Sequence, residues 1–129
     1  MTGGGDMAGH NITGAWGEQV AHDHLVAKGY AIHGRNWRSG HYEIDIIAIK
    51  GNRIIFVEVK TRSRHFTDPA EAVDRRKMMR LARAADSYIQ AYDIPHHWQF
   101  DIITVIGVPG NCQIEHIPDA FIPPLTSIH

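Results

Sequence analysis

The 129-residue sequence contains a single cysteine, Cys112, and no apolar run long enough to span a membrane. One cysteine excludes an internal disulfide and a zinc site built from thiolates. The first eleven residues lack a basic segment followed by an apolar stretch, which is the pattern of a secretory signal. We therefore expect a protein of the reducing cytoplasm that has no membrane partner.

A large excess of charge of one sign is also missing, because 13 basic and 14 acidic residues give a formal net charge of −1. With 43% hydrophobic and 21% charged residues, the composition excludes a wholly disordered chain and a strongly basic nucleic-acid coat protein. The basic residues are nevertheless concentrated, since eight of the 13 lie between Lys60 and Arg83. A phosphate backbone would attract such a local excess, and a solvated helix face is the alternative explanation.

The hydrophobic pattern predicts one α/β domain over residues 12–118, between a disordered segment 1–11 and an irregular tail 119–129. The predicted order is a helix over 13–27, strands over 30–36, 42–49 and 54–59, a helix from Asp74 to Tyr92, a strand over 98–106 and a short edge strand over 113–117. This order is typical of a mixed β-sheet with helices packed on it.

A specific pairing follows from the Gly-Asn turn at 51–52, which is a typical two-residue hairpin connection between strands. In the register that this turn predicts, Asp45 stands opposite Glu58. Two residues further along, Glu43 stands opposite Lys60, and alternation places all four side chains on one face. Opposed Cβ atoms lie only about 4.5–5.5 Å apart, so two carboxylates among apolar neighbours need a cation to offset their charge.

Two explanations of how this charge is offset are compatible with the sequence. The first is a divalent metal ion, because hard carboxylate oxygens suit Mg²⁺, Mn²⁺ or Ca²⁺. The second is structural: Lys60 or a nearby arginine neutralises the pair, or one carboxylate faces solvent at a sheet edge. A lysine two residues after Glu58 favours the metal. Glu18 shares a stripe of the first helix with Leu25, so it is either a further acid of the site or the partner of a nearby arginine.

Asp45, followed after twelve residues by Glu58-Val59-Lys60, resembles the D…(D/E)xK signature of the PD-(D/E)xK nuclease superfamily. A longer pattern resembles the YraN-type family of small bacterial proteins over residues 12–118. It comprises Gly14-x-x-Gly17-Glu18, Asn36-Trp37-Arg38, Glu43-Ile44-Asp45, residues 56–62, Ala72-Val73 with Lys77, and Phe100-Asp101. The helix-borne glutamate and the strand-borne acids are also similar to those of archaeal Holliday-junction resolvases.

The resemblance implies a restriction-endonuclease-like core of three layers, in the order αβββαβ with a possible extra edge strand. It implies a Mg²⁺- or Mn²⁺-dependent endonuclease that hydrolyses DNA phosphodiester bonds at branched or distorted structures. Asp45, Glu58 and the backbone carbonyl of Val59 would ligate the metal. Lys60 would orient or help deprotonate the attacking water, and Glu18 would correspond to the extra acid of the resolvase-like branch.

Other polar residues are assigned by their distance from this expected site. Glu43 is an additional candidate catalytic acid. Four basic residues are candidates for contacting backbone phosphates: Arg38, Arg62, Arg64 and Lys77. Arg76, Arg80 and Arg83 lie opposite the apolar face of the second helix, so we expect them to face solvent. Asp101 is expected to be structural.

Two alternatives use the same fold. One is a module that binds nucleic acid or a protein partner without turnover. The other is an RNA-directed nuclease, because the signature recognises phosphate and metal and not the sugar. Cleavage of both strands of a duplex needs two active sites, so a homodimer is the hypothesis for the assembly.

Overall fold

The computed structural model describes residues 5–63, 75–94 and 97–120, with side chains from residue 15 onward. These residues form α1 (Gly5–Ala27), β1 (Ala31–Ser39), β2 (Tyr42–Lys50), β3 (Arg53–Arg62), α2 (Arg75–Tyr92), β4 (His97–Val108) and β5 (Asn111–Ile117). The strands make one sheet in the order β1-β2-β3-β4-β5. β3 and β4 are parallel, and the other neighbouring pairs are antiparallel. The prediction of a mixed α/β sheet is confirmed, and β5 is the extra edge strand.

The two helices pack on opposite faces of this sheet, because successive side chains of a strand point in opposite directions. Ile55 and Val57 of β3 lie in one buried cluster with Leu25 of α1. Phe56, between them, lies in a second buried cluster with Leu81 of α2. Each such side chain contributes about 1.5–3 kcal/mol when it is fully buried. The sheet is therefore held between two apolar layers, one under each helix.

α1 is longer than predicted, since it begins at Gly5 and not at Thr13. It thereby includes residues 5–11 of the segment that composition predicted to be disordered. The physical reason is that a helix already nucleated by packed turns gains one hydrogen bond for each residue added. The predicted end at Ala27 is confirmed, and Gly29 follows with φ of 91°, the left-handed conformation that ends helices at glycine.

The hairpin between β2 and β3 has the predicted register, with Lys50 paired to Arg53 and the pairs continuing to Ile46 and Val57. The other strands differ from their predicted ranges by up to three residues at their ends, and β1 begins at Ala31, one residue later than predicted. Asp74, Arg64 and residues 121–129 of the predicted tail lie outside the described residues. Within the described part of the chain, neither helix has the length and apolarity needed to cross a membrane.

Candidate functional site

The regular pairing of β2 with β3 ends at Ile46 and Val57, immediately before the two predicted carboxylates. Ile46 lies in the cluster under α1, whereas Ile44 lies in the cluster under α2, so the alternation of β2 breaks at Asp45. The Oδ2 atom of Asp45 accepts a hydrogen bond of 2.8 Å from the Val59 N–H. A ladder continued in the same register would direct that N–H to the Ile44 carbonyl. The Asp45 carboxylate thus takes the place of a backbone carbonyl as the acceptor of this hydrogen bond.

Glu58 faces the same side of the sheet as Phe56, which is the side covered by α2. Its carboxylate interacts electrostatically with that of Asp45. Burial raises the pKa of Asp45 to about 7, the negative charge of Glu58 raises it too, and the hydrogen bond from Val59 opposes this shift. A carboxyl group with such a perturbed pKa, set against a specific charged neighbour, is characteristic of functional sites.

Lys77, in the first turn of α2, supplies the positive charge at this pair. Its Nζ atom lies 2.5 Å from Oε2 of Glu58, and the two side chains are 42% and 9% exposed. Burial by itself would lower the pKa of Lys77, but the hydrogen bond and the charge of Glu58 outweigh it, so the pKa is raised. The structural interpretation of the sequence named Lys60 or an arginine for this contact, and the structure assigns it to Lys77. This contact joins α2 to β3 through residues 19 positions apart in the sequence, and no local pattern specifies it.

Lys60 lies two residues after Glu58 and is half-buried. It lies near the charges of Glu58 and Lys77, both of which act on its pKa. Burial lowers the pKa of Lys60, and the positive charge of Lys77 lowers it further. A lysine with a lowered pKa beside reacting groups can take part in proton transfer nearer to neutral pH.

Glu43 and Glu18 approach the pair from two different elements. Glu43 is exposed and lies 3.5 Å from Arg38, measured from Oε1 to Nη2. Glu18 of α1 has its Oε1 atom 3.7 Å from Nη2 of Arg35. Burial raises the pKa of Glu18, and the charges of both acids raise the pKa of Asp45. The structure thus pairs Glu18 with an arginine, and its role as a further acid of the site stays a prediction.

An open cleft of about 340 Å³ lies at the start of β2 and the end of β3, and neither Lys60 nor Glu18 is among the residues that line it. Its lining residues are His41, Glu43, Asp45, Glu58, Val59, Lys77, Arg80 and Leu81. Arg80 was expected to face solvent; it is exposed, and it also lies on the wall of the cleft. His41 was not predicted either, and its only signal in the sequence is its position two residues before Glu43.

The remaining basic residues do not all meet here. Arg62 lines a different cleft of about 270 Å³, whose walls include Trp16 of α1 and Val108 of β4. Its Nη1 atom donates to the Thr61 carbonyl at 3.2 Å. Arg64 lies outside the described residues. Of the four predicted phosphate contacts, Lys77 lines the first cleft and Arg38 contacts an acid of its wall.

Asp101 anchors a separate polar network. Its Oδ2 atom lies 2.7 Å from Nε2 of His116, and the two side chains are 0% and 8% exposed. Oδ1 accepts hydrogen bonds of 2.9 Å from the Gln99 side chain and from the Asp119 N–H. His24 of α1 contacts His116 at 3.3 Å. Because these bonds join α1, β4, β5 and the following turn, the network agrees with the structural role expected for Asp101.

Among the residues that the structure describes, no three histidine, cysteine, aspartate or glutamate side chains form a group arranged to hold a metal ion. Asp45 and Glu58 supply two carboxylate groups, whose oxygens are hard donors. Mg²⁺ is commonly bound by one or two carboxylates, with water and substrate phosphate completing its shell. The chemistry of this donor pair fits Mg²⁺ or Mn²⁺ on that basis.

The chain matches the profile of a family described as Uncharacterised protein family UPF0102 over residues 17–105, which include both carboxylates and both lysines of the site. A UPF0102 protein of Bacteroides thetaiotaomicron is 52% identical over 120 residues, covering 92% of this chain and 99% of that protein. A UPF0102 protein of Porphyromonas gingivalis is 42% identical over 118 residues, covering 89% and 87%. One of Nitratidesulfovibrio vulgaris is 43% identical over 113 residues, covering 86% and 84%. The chain belongs to the UPF0102 family, the YraN-type family that its motifs resemble.

Proposed function

We propose that this protein is a metal-dependent endonuclease of the PD-(D/E)xK type that hydrolyses DNA phosphodiester bonds, with branched or distorted DNA as its substrate. The observation that carries the proposal is the placement of Asp45 and Glu58 together in an open cleft beside two lysines. A buried carboxylate with a raised pKa costs stability, so a role in binding a cation gives a reason for its presence. Helices on opposite faces of a mixed sheet also agree with the layering expected of that superfamily.

Asp45 and Glu58 would hold the Mg²⁺ or Mn²⁺ ion, with the carbonyl of Val59 as a further ligand. The N–H of Val59 already bonds to Asp45, so this backbone unit lies beside the carboxylate pair. When bound, a divalent ion lowers the pKa of a coordinated water and polarises the phosphate. Lys60 would orient the attacking water and stabilise the negative charge that develops on the phosphate.

Positively charged groups at the wall of the cleft would position the substrate. Arg80 lines it and is exposed, and Arg38 contacts Glu43 at its edge. Arginine forks match phosphate oxygens in geometry and charge, and such contacts fix the register of a nucleic acid without reading its sequence. Glu43 and Glu18 would add to the negative field that favours a divalent ion over a single lysine.

A binding module without turnover is the second candidate function. The observation that favours it is the contact between Lys77 and Glu58, because an ammonium group already neutralises one carboxylate of the pair. Such a module would use the basic groups around the cleft to hold nucleic acid, and its affinity would fall steeply with salt.

The test is a cleavage assay on branched, single-stranded and duplex DNA and on RNA of the same sequences, in Mg²⁺ and in Mn²⁺. Wild type is compared with Asp45→Asn, with Lys60→Ala and with Arg83→Ala, which changes an exposed residue of α2. We expect metal-dependent DNA cleavage by the wild type and the Arg83 variant, and none by the other two. Salt-sensitive binding without cleavage would support the binding module, and cleavage confined to RNA would support the RNA-directed nuclease.

A further inference from the structure

Lys77 occupies the position at which a bound metal ion would also neutralise Glu58. The ammonium group lies 2.5 Å from Oε2 of a glutamate side chain that is only 9% exposed, so little water separates or screens the two charges. The lysine therefore supplies to the metal-free pair part of the charge compensation that a divalent ion would supply to the metal-bound pair.

We propose that Lys77 competes with the divalent ion for Glu58, leaves this carboxylate when the ion binds, and then presents its ammonium group to a substrate phosphate. The inference rests on the proposed function, because it assumes that Asp45 and Glu58 bind the ion. It adds a regulation of that site. Without metal, the ammonium group of Lys77 on α2 neutralises Glu58; with metal bound, the same group is free to contact an anionic substrate.

Lys77 and a divalent ion would meet at the same carboxylate. The ammonium group of Lys77 already lies against Glu58, beside Asp45. A divalent ion held by these two carboxylates would repel an ammonium group a few ångströms away, so the two positive charges would compete for Glu58.

Lys77 is the lysine that can leave. Its side chain is 42% exposed and starts from the first turn of α2, so its flexible four-carbon stem can turn toward solvent. Lys60 starts from β3, where its backbone is paired with Thr104 of β4, and its side chain is half-buried. The cleft that Lys77 lines is open, so the released ammonium group faces the space where a substrate would lie.

A purely structural ion pair makes the opposite prediction for metal binding. If Lys77 only holds α2 against the sheet, its removal loosens the site, and the affinity for metal falls or stays unchanged. If Lys77 competes, its removal strengthens metal binding. The sign of the change in affinity separates the two roles without any measurement of cleavage.

The experiment is a calorimetric titration of Mn²⁺ into wild type, Lys77→Met, Lys77→Arg and Arg83→Met. Methionine keeps most of the length of the lysine stem without its charge, and Arg83→Met removes an exposed charge of the same helix that does not line the cleft. We expect Lys77→Met to bind Mn²⁺ about tenfold more tightly than wild type, because a positive charge beside the ion is removed. Lys77→Arg should keep the wild-type affinity, and Arg83→Met should change it by less than about threefold, as expected of an exposed charge.

Thermal unfolding with and without Mn²⁺ gives a second readout on the same proteins. Lys77→Met should be less stable than wild type without metal and should gain more stability when Mn²⁺ is added. Mn²⁺ binding by a folded Lys77→Met protein that is equal to or weaker than wild type would overturn the competition. Failure of both folded proteins to bind Mn²⁺ would instead overturn the proposed function, and the competition with it. Mn²⁺ binding by the wild type that is lost in Asp45→Asn would show that the ion binds at the carboxylate pair. With that result, an unchanged or weaker affinity in Lys77→Met overturns the competition alone and not the proposed function.

Discussion

Replacing Asp45 by asparagine should stabilise the metal-free protein at pH 8. The pKa of Asp45 is about 7 in the folded protein against an ordinary value of 3.8, because its carboxylate is buried beside Glu58. The native state therefore holds this proton more tightly than the unfolded chain does. The contribution of Asp45 to stability falls as pH rises from about 4 to about 7, and the loss is complete above that range.

The size of the effect follows from the same shift. Each pKa unit corresponds to about 1.4 kcal/mol, so ionisation of Asp45 costs the fold about 4 kcal/mol at most at pH 8. Asparagine keeps an oxygen that can accept the Val59 N–H, although a neutral acceptor makes a bond weaker by about 1 kcal/mol. We expect a net gain of about 2–3 kcal/mol at pH 8 and of less than about 1 kcal/mol at pH 4.

Urea unfolding in EDTA at both pH values measures this difference, and comparison of the variant with wild type cancels the titration of other groups. Asp93→Asn is the matched control, because Asp93 is exposed and has φ of 52°, a conformation that asparagine also tolerates. It should change stability by less than about 0.5 kcal/mol. A destabilised Asp45→Asn protein at pH 8, or a gain of the same size at both pH values, would refute the reasoning. Saturating Mn²⁺ should reverse the order, since only the wild type retains the charged ligand.

Three further predictions concern other parts of the molecule. Lys60→Ala should bind Mn²⁺ at least as tightly as wild type and lose about 10²–10⁴-fold in cleavage rate; loss of metal binding instead would show a ligand-holding role. A Cβ atom at Gly17 would overlap Oγ1 of Thr61, so Gly17→Ala should cost about 1–3 kcal/mol in unfolding experiments, and Thr61→Ala in the same chain should recover part of the loss. An undiminished melting temperature in the single variant would contradict this packing. If two copies cut the two strands of a duplex, light scattering should give twice the monomer mass at working concentration, and a monomer mass with full duplex cleavage would refute the dimer.

The register of the β2–β3 hairpin was predictable because it is local. A two-residue turn fixes which residues of the two strands face each other, and the observed pairs from Lys50–Arg53 to Ile46–Val57 follow that rule. The regular pairing stops there and does not extend to the predicted pairs Asp45–Glu58 and Glu43–Lys60, because β2 loses its alternation at Asp45. The contact of Lys77 with Glu58 was not predictable in the same way. It depends on where α2 packs on the sheet, which is decided by the packing of residues such as Leu81. The same holds for His24 and His116, which are 92 residues apart in sequence.

The break in β2 connects the fold to the site. A regular strand would put Ile44 and Ile46 on the same face and would bond Val59 to the backbone of Ile44. Instead, the two isoleucines fill opposite apolar layers, and the carboxylate of Asp45 takes the hydrogen bond of Val59. Both apolar layers thus stay packed, and the carboxylate of Asp45 takes the position of a backbone acceptor where the regular pairing of β2 and β3 ends. A stability gain in Asp45→Asn would show that this arrangement is not retained for folding, as the proposed role of Asp45 in the site requires.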